Sequence, residues 1–220
     1  MPTLSEAAAV YRHADQHLLV LEKPAGLLCV PGRGTDKQDC LAARVQRDYP
    51  DALVVHRLDM ATSGLWLMAR GSAAQRRLGH AFASRTVRKR YVACVAGRPE
   101  PRDAPDAQGW YRIELPLIID WPNRPRSIVD LQRGKPCLTR WRLLSSDGAT
   151  SRLELEPHTG RSHQLRVHCQ AIGHPILGDA LYASPEVAAA APRLLLHACT
   201  LDLPHPADDA PMHFESAADF

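Results

Sequence analysis

Hydrophobic and polar positions fall along this chain in short runs broken by turn-formers. Val10-Tyr11-Arg12-His13 and His17-Leu18-Leu19-Val20-Leu21-Glu22 flank Ala14-Asp15-Gln16, which predicts a hairpin. Lys23-Pro24-Ala25-Gly26 breaks the second strand, and Pro31-Gly32-Arg33-Gly34 forms another loop. Between Asp36 and Tyr49, Leu41, Val45 and Tyr49 recur at helical spacing, and Pro50 stops the helix. Apolar runs at residues 53–58 and 65–69 predict buried strands. Ser72 is placed to cap a helix to about Ser84 that buries Leu78, Ala81 and Phe82. A strand follows over residues 90–97, then a loop rich in Pro, Asp and Ala over 98–108. Further strands are expected at 110–115, 126–131, 137–145 and 150–156. A helix is expected from Ser162 to about Ile172, and closing strands at 194–198 and 211–214. Many strands with few helices, not in strict alternation, predict an α+β fold with a mixed, mostly antiparallel sheet and flanking helices.

The segment His56-Arg57-Leu58-Asp59-Met60-Ala61-Thr62-Ser63-Gly64 lies between two of these apolar runs and is dense in charge and turn-formers. If residues 53–59 are extended, Arg57 and Asp59 share one face and His56 and Leu58 the other. A carboxylate at the end of a core strand must be paired, open to a cleft, or neutralised. Taken alone, an Asp in such a turn is most often a cap or turn residue, by roughly three to one on ordinary turn chemistry.

Composition sets wide bounds. The 220 residues are 45% hydrophobic and 23% charged, as in soluble globular proteins. The length suits one large α+β domain. The start, Met1-Pro2-Thr3-Leu4-Ser5-Glu6, lacks a basic region followed by an apolar stretch, and no run is long enough to span a bilayer, so a cytoplasmic protein is expected. Six scattered cysteines lack the close pairing of a zinc knuckle and read as small buried hydrophobes. Net charge is +3, yet from Asp202 onward there are five acids and no Lys or Arg, so the remainder is more basic than the whole. Arg85-Thr86-Val87-Arg88-Lys89-Arg90 concentrates four basic residues, which supports a nucleic-acid partner only weakly.

Several chemistries drop out on spacing. His163 and His168 are five residues apart, about 140° round a helix, so they do not chelate one ion easily. His158, His163, His168 and His174 are better read as hydrogen-bonding groups, and no metal is expected. No Gly-x-Ser-x-Gly elbow is present, and Pro31-Gly32-Arg33-Gly34 lacks the spacing of a phosphate cradle. No cofactor is implied.

His56-Arg57-Leu58-Asp59-x-x-Thr62-Ser63-Gly64 resembles the signature of the RluA family of pseudouridine synthases. Lys23-Pro24-x-Gly26-Leu27, Lys89-x-Tyr91-x-Ala93, Thr159-Gly160-Arg161-x-His163-Gln164-x-Arg166-x-His168, Gly173-His174-Pro175-Ile176-x-Gly178-Asp179-x-x-Tyr182 and Leu194-x-Leu196-His197-Ala198 match the family in order and spacing. The resemblance covers roughly residues 10–220. Val30-Pro31-Gly32-Arg33, Gln46-Arg47-Asp48-Tyr49-Pro50 and Asp120-Trp121-Pro122-Asn123-Arg124-Pro125 look like the branch with dual specificity for large-subunit ribosomal RNA and tRNA. Ala25 and Ser162 stand where the family often has Ser and Thr.

The resemblance implies a catalytic domain over residues 10–220 with a central RNA-binding cleft. It follows a short N-terminal extension (1–9) in which no separate RNA-binding domain fits. It implies isomerisation of uridine to pseudouridine, in a hairpin loop of 23S ribosomal RNA and in tRNA anticodon stem-loops, with no obligate protein partner. Asp59 would be the catalytic carboxylate, stabilising or trapping oxocarbenium character as the glycosidic bond breaks. Arg161, about a hundred residues further on, would be its cationic partner. The target base must leave its stack, and Arg57 is placed to enter the vacated space. Tyr91 would stack on the uracil, and Ile176 and Leu194 would form the apolar wall. Arg85, Arg88, Lys89 and Arg90 would contact phosphates. Two other classes remain: an RNA-binding module without chemistry, and a histidine-rich metallohydrolase.

Overall fold

The computed structural model describes residues 9–101 and 103–220, so most of the expected N-terminal extension lies outside the described residues. In chain order the elements are β1 (Val10–Ala14), β2 (Leu18–Lys23), a 3-10 turn (Thr35–Lys37), α1 (Leu41–Asp48), β3 (Ala52–Val54), β4 (Ser63–Arg70), α2 (Gly71–Ala83), β5 (Arg88–Ala96), β6 (Tyr111–Ile113), β7 (Leu117–Ile119), β8 (Ser127–Val129), β9 (Thr139–Ser146), β10 (Thr150–Pro157), α3 (Gln164–Ala171), α4 (Pro185–Ala189), β11 (Leu196–Pro204) and β12 (Pro211–Glu215). Within each of the chain's two units the strand pairs are antiparallel apart from one parallel contact between β4 and β11, and helices are few, so the fold is α+β. Two compact units result among the described residues: residues 9–89 with 197–219, and residues 90–196 with Phe220.

In the first unit, β4 is the central strand. It pairs with β2 and β3 antiparallel and with β11 in parallel, and seven of its eight residues are buried. Leu18, Val20, Leu65 and Leu67 pack with Leu78 of α2 and Leu201 of β11. Each such fully buried leucine contributes roughly 1.5–3 kcal/mol. The parallel contact, His197 opposite Ser63 and Ala198 opposite Gly64, has no room for a side chain. Gly64 has φ +107°, and a Cβ there would lie 2.3 Å from the Ala198 carbonyl oxygen. Glycine meets both demands at once.

In the second unit the sheet order is β5-β10-β9-β6, with β7 and β8 forming a separate two-stranded ribbon. Strand β10 runs antiparallel to β5, with Leu155 opposite Tyr91. Helix α3 buries Leu165, Val167 and Cys169. A smaller cluster of Leu117, Cys137, Val167 and Tyr182 fixes the ribbon to α3.

Several boundaries move from the sequence expectation, each for a local reason. The strand expected over residues 53–58 stops at Val54, because the next residues pair with no neighbouring strand. The alternation survives: Arg57 is exposed, Leu58 buried and Asp59 half-buried. Ser72 does not cap α2; the helix starts at Gly71, whose φ of +74° makes the turn out of β4. The helix expected from Ser162 starts at Gln164, because His163 adopts a left-handed φ of 56°. Helix α4, strand β7 and the C-terminal half of β11 were not expected, although in β11 buried Leu201 and Leu203 alternate with half-buried Asp202.

Candidate functional site

The candidate residues divide between the two units. Arg57, Asp59, Arg85, Arg88 and Lys89 belong to the first; Arg90, Tyr91, Arg161, Ile176 and Leu194 belong to the second.

Asp59 opens a turn that feeds β4, closed by a hydrogen bond from the Thr62 amide to the Asp59 carbonyl at 3.1 Å. Loop 24–29 holds this turn from behind. Lys23, at the end of β2, is fully buried, and its Nζ donates to the carbonyls of Pro24 (2.8 Å), Leu27 (2.8 Å) and Met60 (2.9 Å). The Gly26 amide also donates to the Met60 carbonyl, at 2.8 Å. Leu58, the residue before Asp59, is gripped at both backbone ends by Cys29: its amide donates to Sγ and its carbonyl accepts from it. Burial pulls the Lys23 ammonium down to about 8, while the Cys29 sulfur and the Asp59 carboxylate act in the opposite sense. The Lys23-Pro24-x-Gly26-Leu27 motif thus shapes the loop that carries Asp59, a role its residue types alone do not reveal.

Two histidines brace the same turn. The His56 ring stacks on Phe82 of α2 (4.7 Å between centroids), and its Nε2 accepts from the Leu67 amide at 3.2 Å. Burial, with the nearby Lys89 ammonium, pushes His56 down to about 3, so the ring is neutral with its proton on Nδ1. On the other side, Ser63 Oγ lies 2.9 Å from His197 Nδ1. His197 Nε2 lies 3.0 Å from Ser216 Oγ, which donates to the Glu22 carboxylate at 2.8–2.9 Å. Because Ser216 gives its proton to Glu22, it accepts from His197 Nε2–H, and Ser63 donates to Nδ1. This buried series ties the start of β4 to the last strand of the unit.

The basic segment is not uniform. Arg85 and Arg88 are exposed. Lys89 is half-buried, its Nζ 5.6 Å from the centre of the Phe82 ring, and burial lowers its pKa. Arg90 lies within 3.3 Å of Glu154 and over Trp110.

In the second unit, the turn after β10 presents Arg161 to solvent. Because β10 ends opposite Tyr91, this turn leaves the sheet at the end where β5 carries that tyrosine. Buried Gln164 organises it. Its Oε1 accepts from Thr159 Oγ1 (2.7 Å) and the Arg161 amide (3.1 Å), and its Nε2 donates to the Leu138 carbonyl and Thr139 Oγ1, both at 3.0 Å. Arg166 and Asp179 form a buried bidentate pair at 2.8 and 2.6 Å, linking α3 to the Gly178-Asp179 turn. Asp179 also accepts from the amides of Leu181 and Tyr182. The Tyr182 hydroxyl accepts from the Ser127 amide at 2.8 Å and lies 2.7 Å from His163 Nδ1. Gly178, at φ +75°, passes so close to the chain at Arg193 that a Cβ would overlap the Arg193 carbonyl oxygen. Tyr91, Ile176 and Leu194 are all buried, and Ile176 bridges Val95 one strand position from Cys94.

Two further histidines serve the backbone as hydrogen-bonding groups, whereas His13, His205 and His213 pair with carboxylates. His168 Nε2 donates to the Leu115 carbonyl at 3.0 Å, and His174 Nδ1 lies 2.7 Å from the Ala96 carbonyl. Among the described residues, no three His, Cys, Asp or Glu converge as metal ligands do. No helix among the described residues is long and apolar enough to cross a membrane.

Gln164, Asp179 and Lys23 were missed as site-building residues. Their presence in matched motifs was the only available signal, since a side chain's partners tens of residues away are invisible in the order of the chain.

Residues 17–171 match the family described as RNA pseudouridylate synthase. The chain is 51% identical over 212 residues to the dual-specificity RNA pseudouridine synthase RluA of Escherichia coli strain K12, covering 96% of this chain and 94% of that protein. It is 48% identical over 209 residues to the same-named protein of Yersinia pestis, covering 94% and 98%. Among solved structures, human RNA pseudouridylate synthase domain containing 1 superposes with a TM-score of 0.76 at 26% identity, over 99% of this chain and 86% of that one.

Proposed function

This chain belongs to the RNA pseudouridylate synthase family, and from that premise we propose that it modifies uridines in both ribosomal RNA and tRNA stem-loops. It is an RNA pseudouridine synthase, an isomerase; a binding module without chemistry does not fit that membership. The dual substrate range is supported by the names of the relatives with about half their residues identical. A cytoplasmic location and action without an obligate protein partner go with this reading, as does one catalytic domain built from residues 10–220.

In the reaction the bond between N1 and C1′ breaks, the base turns, and C5 joins C1′ while one proton leaves C5 and N1 gains one. Asp59 is the proposed carboxylate, stabilising or trapping the electron-poor C1′ as the base departs. The observation that carries this assignment is the rigid seating of its turn. Lys23, Gly26 and Cys29 fix the backbone on either side of Asp59, while Arg57 stays exposed. Preorganisation of that kind suits a group that must meet a flipped nucleotide at a set distance. Arg161 is proposed to favour the ionised carboxylate, and Arg57 to fill the space left by the base. Tyr91 would stack on the uracil and exchange a proton, against an apolar wall of Ile176 and Leu194. Arg85 and Arg88 suit phosphate contact best; Lys89 and Arg90 share the role through their less engaged faces.

The test is an Asp59→Asn variant that melts as the wild type does and still binds RNA. Incubated with transcribed tRNA and ribosomal RNA fragments, it should form no pseudouridine in either. Product from that variant would remove Asp59 from its role, and wild-type product in only one RNA class would remove dual specificity.

A further inference from the structure

Helix α2 turns one face into the first unit's core through Ala74, Leu78 and Ala81. Its opposite face carries Ser72, Arg76, Gly79, His80 and Ala83, spaced so that they form one stripe, and all five are exposed. The stretch to which it belongs is unusual in charge. From Met60 to Pro99 there are eight Lys and Arg and not one Asp or Glu. Within it Arg70 pairs with Asp51 and Arg77 with Asp209. Arg76, His80, Arg85 and Arg88 form no ion pair among the described residues, so their charge and hydrogen-bonding capacity face outward.

Gly79 is the second observation. Glycine weakens an exposed helix interior, and nothing in this chain asks for it. Its backbone is not in the left-handed region, and a Cβ there would meet no atom within 4 Å. A residue without a side chain, set between Arg76 and His80, lets something from outside the chain come close to the helix backbone. Beside this stripe runs a groove of about 610 Å³ whose lining includes Arg76, Arg77, His80, Thr86 and Pro204, together with Asp209, whose carboxylate is taken up by Arg77.

We propose that this face is a second RNA contact, distinct from Asp59, which takes the sugar–phosphate backbone of the helical stem that carries the target loop. Arg76 and His80 meet phosphates, Gly79 and Ala83 admit the strand, and the stripe continues through Ser84 into Arg85 and Arg88. The inference rests on the reading of the chain as an enzyme acting on RNA stem-loops. A protein partner suits the face less well, because interface cores rely on buried aromatic and large apolar anchors. None of the exposed large hydrophobic residues lies on α2. Phosphate contacts of this kind position an RNA without reading its sequence.

The experiment uses the full chain and two hairpin transcripts bearing the tRNA anticodon loop, one on a short stem and one with the stem extended by a full helical turn. Affinity is measured over a range of salt, and the single-turnover rate at saturating RNA. Arg76→Ala should weaken binding of the long hairpin several-fold and lower its log–log salt slope by about one. Short-hairpin binding and the rate at saturation should stay as in the wild type. Gly79→Gln should raise the melting temperature by about 2 °C, as helix propensity directs, yet weaken the long hairpin by a similar factor. Stability and affinity then move in opposite directions, which a folding defect does not produce. Unchanged affinity and slope for the long hairpin in both variants would overturn the proposal, as would equal weakening of the two hairpins. If the wild type formed no pseudouridine in either transcript while still binding them, the enzymatic reading would fail on its own, and the binding measurements would still decide this one.

Discussion

Lys23 Nζ donates at 2.9 Å to the carbonyl of Met60, the residue that follows Asp59, across 37 positions of sequence. A buried ammonium with three carbonyl partners is costly to remove, because each carbonyl then loses a charged donor. Lys23→Met is expected to destabilise the protein by about 2–4 kcal/mol and to lower the single-turnover rate at least tenfold while RNA affinity changes little. Denaturant melts and single-turnover assays on the same preparation separate the two effects. A variant with the wild-type rate would show that the Asp59 turn does not depend on its support.

His56 makes acid stability predictable. Its folded-state pKa is held near 3, below the ordinary histidine value of 6.5. Between those values the unfolded chain takes up a proton that the folded chain does not, so stability contributed by neutral His56 is lost as pH falls from 6.5 toward 3. One such group gives a slope of about 1.4 kcal/mol per pH unit across that window. His56→Gln keeps an acceptor for the Leu67 amide and removes the proton site. Its stability should fall less steeply from pH 6.5 to 4 than the wild type's, measured by urea melts at each pH.

The Arg166–Asp179 pair should show strong coupling. Removing either partner leaves a buried charge, so Arg166→Met or Asp179→Asn alone is expected to cost about 3–5 kcal/mol. The double variant should cost clearly less than the two summed, by roughly 1–3 kcal/mol. Additive losses in a double-mutant cycle would mean that the pair is not an energetic unit.

Gly64→Ala forces a Cβ against the Ala198 carbonyl and puts a side chain at φ +107°. A loss of at least about 2 kcal/mol is expected in equilibrium unfolding. Gly71→Ala is the comparison: it shares a positive φ but meets no atom within 4 Å, so it should cost less.

These cases also mark what the order of residues could and could not reveal. The alternation that sets Leu58 against Arg57 and Asp59 was legible, because period-two burial is written locally. So was α2, whose Leu78 and Ala81 mark the buried face. The end of β3 was not: its pairing stops at Val54 opposite Met68 although β4 runs on to Ser63, and the next amide, that of Leu67, donates to the His56 ring. Nor was the late start of α3, which the left-handed His163 imposes through its 2.7 Å contact with the Tyr182 hydroxyl. Motif resemblance located Asp59 and Arg161, but only the structure showed that Lys23 and Gln164 hold the turns on which they sit.

The parallel contact of β4 with β11 also governs when the protein can become active during synthesis. Ser63 and His197, joined side chain to side chain, are 134 positions apart, so the strand next to the Asp59 turn waits for a neighbour made long afterwards. Closing a loop of that size is slow, and until it closes β4 exposes an unpaired apolar edge. A nascent chain that has not yet reached β11 is therefore expected to be both inactive and prone to aggregate, which ties the onset of catalysis to the synthesis of β11.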